Sequence, residues 1–417
     1  YGTQNDDSII GNSDSNTLVG NDGVDYIDGG AEIDYLVGGD GVDTIYGGDG
    51  SDTIFGDDTL SSASLVNDDE LYGQAGDDTI SGGYGADTLD GGEGADELIG
   101  GEGDDTLIGG AGDDKLKGGN DDDTAYYAGE TSSIDATLTD TGGNATGSSI
   151  GIDIFTSIEN ITGSQAADNI TGNTGNNILD GQDGDDTIRD AAGDDTVYGG
   201  DGDDYLYAGS GSDRFEGGNN TAYTDGSSTT GDTIDYSVYG ADKIVVDLTS
   251  IDLSDGGTDY SAVSVTDDTS YTDYITGIEN ITGTGGDDTI TGDSSSNTLK
   301  SNAGNDILDG GAGNDYLDGG ENDDTFVGGA GFDTIIGGSG SDYVDYSYET
   351  NNITVDFADG DVTIGATVED NISQIEHFEG GSGIDDITAN SLDNTLKGNA
   401  GNDTLNSGTG NDVINGG

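Results

Sequence analysis

Between Gly73 and Tyr126 the chain repeats itself every nine residues, through six units reading GQAGDDTIS, GGYGADTLD, GGEGADELI, GGEGDDTLI, GGAGDDKLK and GGNDDDTAY. Glycine favours places one, two and four, aspartate holds place six, and an aliphatic residue holds place eight in all but the last unit. No other feature restricts the fold so tightly. A nine-residue unit cannot bury one leucine by itself, so it must stack on its neighbours.

Each place has a physical task. Glycine at places one, two and four lets the backbone enter positive φ and turn sharply, with carbonyl oxygens left bare. Places seven to nine, such as Thr88-Leu89-Asp90, are too short for a helical turn and suit a three-residue strand. In extended chain Asp87 and Leu89 face the same side. Stacking such units as a coil lines up an apolar strip flanked by rows of carboxylates.

Those rows define the chemistry. Aspartates repeating about 4.8 Å apart along a stack repel unless cations lie between them. Carboxylates and loop carbonyls are hard oxygen ligands and suit calcium, which accepts six to eight of them with loose geometry. Magnesium demands a stricter octahedron and retains its waters. Zinc is poorly served by a chain with no Cys and one His.

On these residues the chain resembles the RTX, or haemolysin-type calcium-binding, family and its nonapeptide G-G-x-G-x-D-x-U-x. The resemblance implies an all-β fold, a right-handed parallel β-roll or β-solenoid in which two nonapeptides make one coil. It also implies multiple Ca2+ ions between the loops of adjacent coils, held by loop carbonyls and the place-six aspartates. In the first array the implied ligands are Asp7, Asp25, Asp34, Asp43, Asp52, Asp69, Asp78, Asp87, Asp96, Asp105, Asp114 and Asp123. Further along they are Asp168, Asp186, Asp195, Asp204 and Asp213, then Asp288, Asp306, Asp315, Asp324, Asp333 and Asp342, and finally Asp385, Asp403 and Asp412.

Read in nines, the chain divides into four arrays and three interludes. Arrays occupy residues 1–126, 163–218, 283–345 and 380–417, and interludes occupy 127–162, 219–282 and 346–379. The first array carries one insertion, set at Gly56 to Ala63. Place six is Asn instead of Asp at Asn16, Asn177, Asn297 and Asn394, each in the second unit of its array. Those coils are expected to bind calcium weakly or not at all. Each interlude opens on an alternating stretch (IDATL, IVVDL, ITVDF) and closes on an Ile-Glu pair at Glu159, Glu279 or Glu376. Their β-branched content predicts further strands, as wider coils or a local sheet. The middle interlude, with Tyr223, Tyr236, Tyr239, Tyr260, Tyr271 and Tyr274, is expected to project a surface. The chain opens at place nine and closes at place two of a unit, so flanking sequence is expected.

With 88 acidic against 7 basic residues and a net charge of −81, the chain is a poor partner for nucleic acid or an anionic membrane. Inorganic cations are its natural partners. No apolar run approaches the roughly 20 residues of a transmembrane helix, so no membrane insertion is expected. The chain has no H-E-x-x-H motif, no cysteine nucleophile and no phosphate loop. His377, the single histidine, occupies the place of Asn160 and Asn280 in the other interludes and reads as structural.

A non-enzymatic reading follows: an extracellular, calcium-stabilised structural protein of a bacterial cell surface, such as a filament, sheath or surface-layer subunit, that self-associates into a homopolymer. The alternatives are the calcium-binding module of a secreted enzyme or toxin, and the extender region of a large adhesin.

Overall fold

In the computed structural model the described residues are 1–57, 67–219, 231–240, 243–249, 261–266 and 271–417, with backbone alone described for 261–266 and Tyr271. They hold β-strands and one 3-10 turn at Ser237–Tyr239. They fall into two compact units, Tyr1–Asp201 and Gly202–Gly417.

In the first unit, strands eighteen residues apart pair in parallel, Leu71 with Leu89 and Leu89 with Leu107. The alternate strands pair likewise, Ile80 with Leu98 and Leu98 with Leu116. Two nonapeptides therefore make one coil of a parallel β-roll. Place-eight side chains form the core: Ile27, Leu36, Ile45, Ile54, Leu71, Ile80, Leu89, Leu98 and Leu107 are wholly buried. Burying each such side chain is worth roughly 1.5–3 kcal/mol, which one unit gains only when its neighbours supply the cover. The second unit repeats the arrangement, with Leu299, Leu308, Leu317, Phe326 and Ile335 in its spine.

Strands in the first array are longer than the nonapeptide suggests. Thr88–Glu93 spans six residues and carries the ladder through the next two glycines. In the third array Thr289–Thr291 keeps to three. Glycine roles also divide. Gly92 and Gly94, at places two and four, have φ of 97° and 152°, whereas Gly91 at place one is absent from the positive region. Place one needs glycine for room: a Cβ on Gly47 would stand 2.6 Å from Asp52 Oδ2 and 2.8 Å from the Gly73 carbonyl oxygen.

The insertion in the first array lies later than Gly56 to Ala63. Gly56 packs against Asp69 Oδ2 as a place-one glycine does, and Asp57 N–H donates to the Gly82 carbonyl at 3.1 Å. Asn67 resumes at place four, where its carbonyl lies under Gly85. The added residues therefore enter between Asp57 and Asn67, within a stretch outside the described residues.

Each interlude is a local antiparallel sheet. In the first unit Ile134–Thr139, Gly142–Gly147 and Gly151–Thr156 form an antiparallel meander. Its last strand pairs in parallel with Lys115–Asn120 and its first with Asn169–Thr171. The meander is thus spliced into one sheet while the other continues directly from Thr124–Tyr126 to Asn160–Thr162. The second unit contains two such splices, Lys243–Asp247 with Ser261–Thr266 and Tyr271–Thr276, and Ile353–Asp356 with Asp361–Ile364 and Thr367–Ser373. Of the tyrosines expected to build a surface on the middle interlude, Tyr223 and Tyr260 lie outside the described residues, Tyr236 is buried and Tyr274 is partly exposed.

Candidate metal centre

The place-six aspartates are drawn together into ladders by one repeated hydrogen bond. The backbone N–H of Asp78 donates to Asp96 Oδ1 at 2.7 Å, and that of Asp96 to Asp114 Oδ1 at 2.8 Å. In the second row Asp69, Asp87, Asp105 and Asp123 follow the same rule at 2.8–2.9 Å. Asp7, Asp25, Asp34, Asp43 and Asp52 precede them. In the second unit Asp288, Asp306, Asp324 and Asp342 form one row, and Asp315 and Asp333 belong to the other. Asp168 connects to Asp186, Asn177 to Asp195, Asp204 to Asp232, Asp213 to Asp273, Asp385 to Asp403 and Asn394 to Asp412. Asp412 itself is half-buried.

Oδ1 is therefore committed to the fold. Oδ2 is not: at Asp78, Asp87, Asp96, Asp105, Asp306, Asp315, Asp324, Asp333 and Asp342 it is buried and meets no protein donor. At Asp78, Asp96 and Asp315 it shares the space beside the place-one glycine, Gly73, Gly91 or Gly310, with a carbonyl oxygen of the next coil, that of Gly91, Gly109 or Gly328.

Burial raises these carboxyls far above their ordinary range. Desolvation, opposed by the backbone hydrogen bond and assisted by neighbouring aspartates, pushes Asp69 up to about 9, Asp105 to about 8 and Asp87 and Asp96 to about 7. Two charges 4.8 Å apart repel by about 3 kcal/mol at an effective dielectric of 20, whereas one backbone hydrogen bond returns about 1 kcal/mol. Repulsion wins unless protons or cations intervene. At these array rungs a hard Oδ2 oxygen with no competing donor fits a calcium ion, with the Oδ2 atoms and loop carbonyls as the groups that would hold it.

Several ladder members escaped the nonapeptide count. Asp153, Asp273 and Asp370, on the last strands of the meanders, accept from Asp114, Asp213 and Asp333 at 2.9–3.1 Å. Glu159, Glu279 and Glu376 stand at place six and accept from Asp123, Asp232 and Asp342 at 3.0–3.1 Å. The apolar residue two places on, Ile161, Ile281 or Phe378, is buried in each case and is the available signal.

Asp232 is the most instructive omission. Gly217 faces its Oδ2, so Gly217-Gly218 and Gly231-Asp232-Thr233-Ile234-Asp235 are the two parts of one split repeat. After that repeat, and after the first and third arrays, Tyr127, Tyr236 and Tyr346 stand where place-one glycine would be.

At this turn the ladder chemistry changes. Tyr127 and Tyr346 donate their hydroxyls to Oδ2 of Asp153 and Asp370 at 2.8 and 2.6 Å. The asparagines at place six act as donors as well: Asn177, Asn297 and Asn394 give their amide protons to the carbonyls of Glu159, Glu279 and Glu376 at 2.6, 2.9 and 3.0 Å. A carboxylate cannot make that bond.

His377 is structural. Its Nδ1 accepts from Thr395 N–H at 2.9 Å, as Asn160 and Asn280 Oδ1 accept from Ile178 and Thr298. The ring proton therefore sits on Nε2, towards Ser341 Oγ at 2.6 Å. A nitrogen that already carries the proton cannot withdraw one from the serine.

A family model described as the RTX calcium-binding nonapeptide repeat matches residues 1–36, 29–59, 66–98, 99–129, 162–189, 190–221, 275–299, 282–317, 291–325, 318–347 and 379–414. These segments cover well over half of the chain and leave the three meanders largely outside. No curated protein matches it.

Proposed function

The chain belongs to the family of RTX calcium-binding nonapeptide repeats and binds calcium at multiple sites, and from that premise we propose that it is an extracellular structural element of a bacterial cell surface, hardened by calcium and built to self-associate. The observation that carries this reading is the ladder itself. The same buried carboxylate oxygen without a protein donor recurs in both units, at Asp96 as at Asp324, and supports a roll whose stiffness depends on ion supply. Extracellular modules commonly bind calcium at roughly 10⁻⁴ to 10⁻³ M, which matches an outside location and leaves the chain unfilled in a cytoplasm.

A role in scaffolding also accords with the residue inventory. The single histidine is spent on backbone and serine hydrogen bonds, and Lys115 and Lys397 pair with Glu97 and Glu379. Electron microscopy of the purified chain tests the proposal. Ordered filaments or sheets in millimolar calcium, dissolving in chelator, are expected; dispersed single particles at high protein and calcium concentration would remove the assembly role.

A further inference from the structure

Asp105 and Asp168 carry the same side chain at the same place of the repeat, yet their second oxygens meet different surroundings. At Asp105, Oδ2 is buried without a donor. At Asp168, Ser164 N–H donates to Oδ2 at 2.5 Å while Ser164 Oγ and Ile134 N–H hold Oδ1 at 2.8 and 2.7 Å. Asp288 repeats this with Thr284 N–H at 2.8 Å and Ile244 N–H at 2.9 Å. Asp385 does so with Gly381 N–H at 3.0 Å and Ile353 N–H at 2.9 Å. Asp153 and Asp370 have their second oxygens filled by the hydroxyls of Tyr127 and Tyr346. A carboxylate whose lone pairs point at N–H and O–H protons presents those protons, not its charge, to an incoming cation.

Asp232 shows the opposite. It lies outside every matched repeat segment, is wholly buried, and accepts from Asp204 N–H at 2.8 Å through Oδ1. Its Oδ2 has no protein donor and lies beside Gly217, together with the Gly277 carbonyl of the next coil. This is the arrangement seen at Asp96 with Gly91 and the Gly109 carbonyl.

We infer that the row of calcium sites is interrupted at the meanders and extended across the split repeat: Asp232 is a calcium ligand, whereas Asp153, Asp168, Asp288, Asp370 and Asp385 are not. The meanders are then proton-bonded clamps set into an ion-bonded roll. They hold their rungs at any calcium concentration, and Asp232 carries ion dependence up to the edge of the middle meander. This inference rests on calcium as the bound ion and is independent of any surface role.

Native mass spectrometry of the full chain at saturating calcium tests it, with folding checked by circular dichroism. Asp232→Asn keeps an oxygen for the Asp204 N–H and is expected to lower the calcium count as Asp105→Asn does. Asp168→Asn and Asp288→Asn are expected to leave the wild-type count unchanged. Asn177→Asp, which replaces the amide donor to Glu159 by a carboxylate, is expected to raise the count, and it reads the interruption even if Asp232→Asn fails to fold. A wild-type count in folded Asp232→Asn, a loss in Asp168→Asn equal to that in Asp105→Asn, or no gain in Asn177→Asp overturns the inference. A wild-type chain that takes up no calcium overturns the inference together with calcium binding itself, and leaves self-association to be judged by microscopy.

Discussion

The rungs at Asp96 and Asp370 share a backbone hydrogen bond and a buried carboxylate, and they differ in what faces Oδ2: nothing from the protein at Asp96, the Tyr346 hydroxyl at Asp370. One kind of rung leaves its second oxygen open to a solute. The other is completed by the chain. The difference teaches that a solenoid can mix both modes without changing its register, because Oδ1 performs the architectural task in each and only the second oxygen is exchanged.

Removing calcium should separate the two regions most strongly. In chelator at neutral pH the arrays are expected to lose β-structure, because the aspartate rows are left with mutual repulsion of about 3 kcal/mol per adjacent pair. Circular dichroism should fall sharply and recover cooperatively on calcium addition. A spectrum unchanged by chelation would show that the array rungs do not need the ion and would erase the contrast.

Acid should substitute for the metal. A carboxyl whose folded pKa is raised holds its proton more tightly in the folded chain, so its contribution to stability is complete below the unfolded value of about 4. It is lost as pH rises through the folded values, about 6 for Asp78 up to about 9 for Asp69. The chelated chain should therefore regain β-structure as pH falls from about 9 to about 4, the reverse of ordinary acid denaturation. Further unfolding on acidification would refute the picture of buried, desolvated rows.

Single substitutions sharpen the comparison at lower amplitude. Leu98→Ala should cost about 2–5 kcal/mol in calcium, since this wholly buried side chain leaves a cavity between two coils. Tyr346→Phe strips the donor from Asp370 and should cost about 1–3 kcal/mol, and it should make the clamp calcium-dependent where the parent was not. His377→Asn should change thermal stability little, because asparagine already makes the equivalent bond at Asn160 and Asn280. Lys115→Ala, at an exposed pair with Glu97 3.6 Å away, should shift stability by less than about 1 kcal/mol.

Much of this was legible in the sequence: a strict period is a statement about stacking, and the resemblance to the RTX family, with two nonapeptides to a coil, implied that Leu89 meets Leu107 and Asp87 meets Asp105. The meanders were visible as strands but not as antiparallel ones. IDATL carries the same alternation in either direction, and only the pairing of Ile134–Thr139 with Gly142–Gly147 settles it. Asp232 escaped because the residues between Gly218 and Gly231 break the count of nine. The asparagines were read as weakened ligands, since a sequence shows which group is present but not whether it faces a proton or a lone pair. Place-one glycine looked like a turn residue, and it is in fact a clearance for Asp Oδ2.

The two interruptions of the nonapeptide count both enter in the loop half of the unit, between Asp57 and Asn67 and between Asn219 and Gly231, and in both cases the ladder resumes unshifted, at Asp69 and at Asp232. The roll thus has a graft point at which a foreign peptide of eight or ten residues can be carried without disturbing the coils on either side. Within each unit, any repeat opened in its loop half offers the same socket, those of alternate repeats being spaced by one coil, and so provides a ruler along which passenger sequences can be displayed at fixed intervals.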